Sequence, residues 1–229
     1  MDAAAKYTLW IFWDGAGRAA PSAALALRLE ERLREVGGIE AALWHLPDRV
    51  ADPCLGHESS GQAVLQLYLD SLESLRRGLR AGSDLWRALR RCDPEGWPAG
   101  VSIQAMELSV QSGRSPDGPA CAYVVGYEGG GDGREWVRRY CSEHVDLMLG
   151  LPGIRQIEVH VQASCATGWP VPVRQWLLRN KAVFDDAAAL QAALDSPARL
   201  DMKRHRLAMP PLGGQSEHIA MRALPLRLS

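Results

Sequence analysis

Gly38-Ile39-Glu40-Ala41-Ala42-Leu43-Trp44-His45 and Gly153-Ile154-Arg155-Gln156-Ile157-Glu158-Val159-His160 are the two stretches that decide the fold. Both open on Gly-Ile, both end on histidine, and they lie 115 residues apart. The same shift carries Asp70 onto Asp185 and Ala105-Met106 onto Ala220-Met221, without a gap. It also carries Leu75, Leu79 and Leu85 onto Leu190, Leu194 and Leu200. The identities are few, but they fall where structure asks for a particular residue. Gly38 and Gly153 follow a first helix, where positive φ closes the last turn. Asp70 and Asp185 precede a second helix, where a short acid caps free amides. The leucines mark a buried stripe. The chain reads as two copies of one unit.

Working outward, short β-branched and aromatic runs predict strands at Tyr7–Trp13, Ile39–Leu46, Ala63–Leu69 and Ser102–Val110. Apolar spacing near 3.6 predicts helices over Ser22–Val36 and Ser71–Arg91. The second copy predicts strands at Cys121–Tyr127, Ile154–Val161, Trp176–Phe184 and His218–Leu226, with helices over Arg134–Leu149 and Asp186–Arg206. Each half is βαββαβ, an α+β, ferredoxin-like unit with a four-stranded antiparallel sheet and both helices on one face. Residues 1–111 and 120–229 form the units, and the turn-rich stretch 112–119 links them. Runs such as Leu9-Trp10-Ile11-Phe12-Trp13 are apolar on both sides, so one unit alone would leave a bare sheet in water. Packing the two sheets face to face within the chain covers both.

Composition excludes several classes. The chain of 229 residues is 47% hydrophobic with a net charge of −1, ordinary for a globular protein. No basic stripe suggests nucleic acid, and Arg87, Arg90 and Arg91 read as the solvated face of a helix. No run approaches the ~20 apolar residues of a membrane helix. The first residues lack the pattern of a secretory signal, and the five scattered cysteines lack a CxxC pair, so reduced thiols and a cytoplasmic location are expected.

Three motifs of the second half carry a resemblance: Trp136-Val-Arg-Arg-Tyr140-Cys-Ser-Glu-His144, Leu151-Pro-Gly-Ile-Arg155 and Val183-Phe-Asp-Asp-Ala-Ala-Ala-Leu190. They resemble the aromatic-x3-His helix, the Leu-Pro-Gly turn and the Phe-Asp helix entry of the EthD-type branch of the dimeric α/β-barrel superfamily. The resemblance implies units paired through their sheets into a barrel. It also implies small-molecule chemistry of the kind found among that superfamily's cofactor-free monooxygenases, cyclases, isomerases and haem-handling enzymes. The first half lacks the helix histidine and the turn proline, so the candidate site falls in the second.

The repeat sharpens that site. The inward stripe of the first helix, Leu25, Leu29, Leu33 and Val36, becomes Tyr140, His144, Met148 and Leu151. Burying a phenol and an imidazole without partners costs about 1–3 kcal/mol each, so internal hydrogen bonds or a ligand-sized cavity must compensate. His144 is expected as general base or acid, titrating near neutrality. Tyr140 is expected to donate to an enolate or phenolate oxygen. Trp136 and Met148 are expected as apolar walls for a flat aromatic substrate. His45 and His160 are expected to face one another across the barrel, most simply in a structural hydrogen bond, and His160 is also counted among the substrate contacts. Neither has a carboxylate at ligand spacing, so no metal is expected. The loop Glu128–Gly133 reads as a turn with Asp132 as helix cap, Asp70-Ser-Leu-Glu73 reads as a capping box, and His205 and His218 carry no assigned role.

Gly-x-Ser-x-Gly, His-Glu-x-x-His and a cysteine with a histidine partner are all missing, which removes common hydrolase mechanisms. The expectation is an enzyme without metal or cofactor that acts by proton transfer on an aromatic, polyketide-like or quinone-like small molecule. A non-catalytic binding or accessory protein for such a compound is the alternative. An axial haem ligand at His144 is a third reading. A barrel closed within one chain further predicts a monomer or weak homodimer.

Overall fold

The two sheets close into one barrel. The computed structural model describes residues 6–13, 23–55, 62–93, 97, 100–113, 118–129 and 133–228. The first half contains β1 (Tyr7–Trp13), α1 (Ala23–Leu33), β2 (Ile39–Pro47), β3 (Ala63–Leu69), α2 (Leu72–Gly78), α3 (Asp84–Cys92) and β4 (Val101–Gly113). The second half opens with β5 (Ala120–Gly129), α4 (Arg134–Arg139), a π-helical turn (Tyr140–His144) and α5 (Val145–Leu149). It continues through β6 (Gln156–Gln162), β7 (Trp176–Phe184), α6 (Ala187–Leu194), α7 (Pro197–Ala208) and β8 (Gly213–Leu226).

The strands run in the order β4-β1-β3-β2 and then β8-β5-β7-β6, each neighbouring pair antiparallel, with β2 on β8 and β6 on β4 closing the ring. This is the α+β architecture of two ferredoxin-like units packed as an intrachain α/β barrel. The two seams share a register: His45 lies opposite Ala223, and its repeat mate His160 lies opposite Leu108, whose own mate is Ala223. Among the described residues no helix is long and apolar enough to cross a membrane.

Local details follow the repeat with corrections. Gly38 and Gly153 have φ of 85° and 74°, which only glycine adopts without strain. The second-helix caps sit one residue later than expected. Ser71 accepts from the Ser74 amide and Asp186 from the Ala189 amide, while Asp185 pairs with Arg155. The capping box at Asp70–Glu73 is thus replaced by a Ser71 cap. Each long second helix is broken in two. Gly82, at φ 66°, and the Ser83 cap separate α2 from α3, whereas Asp195-Ser196 and a proline at the first position of α7 interrupt the other. Beyond that break the shift of 115 no longer marks burial: Leu85 is 1% exposed, but Leu200 is 49% exposed. The N-terminal residue of the first expected helix, the tip of the Glu128–Gly133 loop with the expected Asp132 cap, and part of the linker lie outside the described residues.

Side chains alternate along each strand. Leu9, Ile11, Leu65, Leu67 and Ile103 face outward and pack under α1, α2 and α3, while Tyr123, Val125, Tyr127, Leu178 and Ala182 face the helices of the second half. Trp10, Phe12, Val64, Met106, Val124, Ile219 and Met221 face inward from both halves. The interior is not purely apolar, as sheet-to-sheet packing of bare faces would suggest. Glu158 and Lys181 form an ion pair of 2.8 Å with both side chains buried, and Tyr68 and His160 donate to the same carboxylate. Removing either charge would strand the other in a dry environment.

Candidate functional site

The candidate site lies on the outer face of the second sheet, beneath its helices. Gly133 precedes α4, and the helix runs from Arg134 to Leu149 through the π turn. A π turn widens the spiral locally and is often found at functional positions. Here it spans the residues from the phenol of Tyr140 to the imidazole of His144. Both side chains are buried against the sheet, as Leu25 and Leu29 are in the first half.

Between this helix, α6, α7 and strands β5 and β7 there is a cavity of about 280 Å³. Tyr140, His144 and Met148 line it, with Leu151, the fourth residue of the inferred stripe. Trp136 stands behind the wall: its ring stacks on Tyr140 with centroids 5.1 Å apart and an interplanar angle of 22°. His160 is elsewhere. It sits inside the barrel at 0% exposure, bonded to Glu158 at 3.0 Å and Thr8 at 3.2 Å. The expected His45–His160 hydrogen bond is not formed, because His45 turns to Gln66 and both imidazoles pack on Trp10. A carboxylate does stand beside His160, two residues upstream on the same strand face, yet no group of three metal-ligating side chains occurs among the described residues.

His144 has a partner that the sequence did not point to. Its Nδ1 lies 3.1 Å from Nδ1 of His205 on α7, and Nε2 of His205 lies 3.0 Å from the Glu143 carboxylate. A carboxylate only accepts, so His205 Nε2 carries a proton. With His205 neutral, its Nδ1 is an acceptor, and His144 Nδ1–H donates to it. That tautomer leaves the His144 Nε2 lone pair free, and among the described residues nothing else engages it. Burial lowers the His144 pKa to about 3, helped by repulsion from His205 whenever that ring is protonated and by the Arg199 and Arg206 cations. The imidazole is therefore neutral at pH 7, well below the near-neutral titration expected from sequence. Tyr140 behaves oppositely: burial and Tyr127 push its pKa well above 10, so it stays protonated. Asn180 donates to its oxygen, and the hydroxyl also lies within hydrogen-bond reach of the Tyr127 hydroxyl and 3.8 Å from the Met148 sulfur.

Sequence reasoning predicted the helix that contains α7 but missed that its face lines the cavity, and it missed a crossing loop. Arg199, Lys203 and Arg206 line the cavity from one face of α7, and His218 lines it from β8. Cys54 and Leu55 reach over from the β2–β3 loop of the other half. Asp52 of that loop anchors it, bonding Arg199 at 2.7 Å and receiving a hydrogen bond from Tyr123 at 2.6 Å. Burial alone would raise the Asp52 carboxyl, but bonds from Tyr123 and Arg199 outweigh it and hold the group below its usual value. The only sequence signal for α7 was a helical run with three cations at spacings of four and three.

No protein-family model matches the chain, and no curated protein matches it. Solved structures do. A candidate monooxygenase of Fusobacterium nucleatum subsp. nucleatum superposes over 98% of this chain and 94% of its own, with a TM-score of 0.61 at 8% identity. An anthrone oxidase-like protein superposes over 96% and 91%, with a TM-score of 0.58 at 11% identity. The fold is the dimeric α/β barrel. An EthD family protein of Bacillus halodurans c-125 also aligns, over 43% of this chain and 95% of its own at 18% identity, with a TM-score of 0.35. Unlike a barrel assembled from two chains, this dimeric α/β barrel has both sheets and both helix layers in one chain.

Proposed function

We propose that the protein is an enzyme that removes a proton from an activated carbon of an aromatic, polyketide-like or quinone-like compound bound in the second-half cavity. The observation that carries the reading is the His144 imidazole, which lines the chamber while its Nδ1 is held by His205, itself held by Glu143. The C–H bond breaks, the proton goes to Nε2, and the electron pair moves onto the neighbouring carbonyl oxygen as an enolate. The Tyr140 hydroxyl, kept protonated by burial, donates to that oxygen. The base is weak in the empty cavity, but the enolate places a negative charge beside the imidazolium just as it forms, and in a dry site that pairing is strong. Val125, Ala182, Phe184, Leu190 and Leu194 supply apolar walls.

Anthrone, whose methylene is flanked by two rings and acidified by the carbonyl opposite, is a suitable test compound. In deuterated buffer the protein should accelerate methylene exchange, followed by proton NMR. His144→Ala should reduce the acceleration by at least about a hundredfold, and Tyr140→Phe by about tenfold. An His144→Ala protein that exchanges as fast as the wild type would overturn the base assignment. Binding of anthrone with no exchange above buffer would favour the non-catalytic accessory reading instead.

A further inference from the structure

The cavity is apolar in shape but cationic in charge. Arg199, Lys203 and Arg206 line it, and among the described residues no aspartate or glutamate does. Arg199 is neutralised by Asp52. The other two are not: among the described residues no carboxylate pairs with Lys203 or Arg206. Lys203 reaches only the Cys54 carbonyl, at 3.4 Å. Arg206 lies over the rings of Tyr127 and Trp136 at 5.3 and 5.2 Å, with a hydrogen bond toward the Tyr127 hydroxyl. Its Nε is buried without a partner. Leaving a half-buried guanidinium uncompensated is unfavourable unless something arrives to satisfy it. A guanidinium fork matches the two oxygens of a carboxylate, and Lys203, one turn earlier on the same face, adds a second positive charge.

We propose that the natural occupant is an aromatic carboxylic acid, bound through its carboxylate to Arg206 beside Lys203 with its rings on the apolar walls. The proposal rests on the reading that this cavity is the substrate site, and it adds that charge selects the substrate. It also removes a difficulty of the mechanism. An anion on Arg206 offsets one of the positive charges that hold His144 neutral, so the substrate itself strengthens the base.

The test compares rhein, an anthraquinone carboxylate, with its neutral methyl ester by calorimetric titration. The wild type should bind rhein at least about tenfold more tightly than the ester, and added salt should shrink that margin. Arg206→Met should abolish the preference by weakening rhein at least about tenfold more than the ester, and Arg206→Lys should restore part of it. Ester binding that persists in the variant shows that the cavity is still folded. Equal binding of acid and ester by the wild type, binding of neither, or equal weakening of both by Arg206→Met would overturn the proposal. Failure here is separable from failure of the base assignment, since anthrone exchange lost in His144→Ala is independent of the carboxylate preference. Conversely, rhein selectivity without any anthrone exchange would leave the anion site standing and remove the chemistry.

Discussion

Among the described residues, the helix–sheet interface is packed in the first half of this molecule and hollow in the second. Beneath α1 to α3, Leu25, Leu29 and Leu33 meet Trp13, Trp44 and Trp97 in one packed cluster. Trp169 joins it from the β6–β7 loop of the other half, with its ring 5.3 Å from Trp86 and its Nε1 donating to the Gly78 carbonyl at 3.1 Å. The second half is covered in the same way by the β2–β3 loop of the first, but the repeat mate of Trp169 is Cys54, and the mates of Leu25 and Leu29 are Tyr140 and His144. Each unit is thus capped by a loop from its twin. One backbone plan holds a core or a chamber according to the volume and polarity of a few side chains, and the proposed site belongs to the copy that gave up packing.

Exchanging those side chains is the strongest way to break the comparison. Trp169→Ala should hollow the first half and cost about 3–5 kcal/mol in urea unfolding, with anthrone exchange intact. The reverse change, Cys54→Trp, should abolish ligand binding and shift stability by about 1 kcal/mol either way. A Trp169→Ala protein as stable as the wild type would mean the indole is not a core element.

Leu29→His recreates the second-half imidazole in the first. The repeat mate of His205 is Arg90, which is exposed, so the new imidazole would have no partner. A loss of about 2–3 kcal/mol is expected from burying it unsatisfied. Stability within experimental error would show that the first half also has space or water to receive it.

His205→Ala separates positioning from packing. It should lower the exchange rate by about tenfold through loss of the His144 tautomer, with little change in substrate affinity, and leave the unfolding midpoint in place. A matching fall in stability would reduce His205 to a structural contact.

A pH series tests the same burial. His144 and His45 both have folded pKa values of about 3 against 6.5 in the unfolded chain, burial being the first cause of each. The unfolded state takes up protons between those values and the folded state does not, so their contribution is complete above pH 6.5 and is lost as pH falls toward 3. Urea midpoints should be level between pH 7 and 8 and lower at pH 5. His144→Leu should flatten the slope between pH 7 and 5 only in part, because His45 remains.

Much of this organisation was readable from the amino acids. A constant shift of 115, glycines at two helix ends and leucine stripes imply two equal units, and greasy strands imply that those units cover each other. The change from Leu25 and Leu29 to Tyr140 and His144 marked one wall of the chamber. Periodicity reports which face of an element is buried. It does not report what lies across from that face, so the step from His144 to His205 and Arg206 on α7, and to Cys54 in the other half, was decided only when the chain closed. The barrel interior was hidden for a related reason. Glu158, His160 and Lys181 alternate with apolar residues as on a solvated strand, and only closure of the ring turns that face into a buried ionic core.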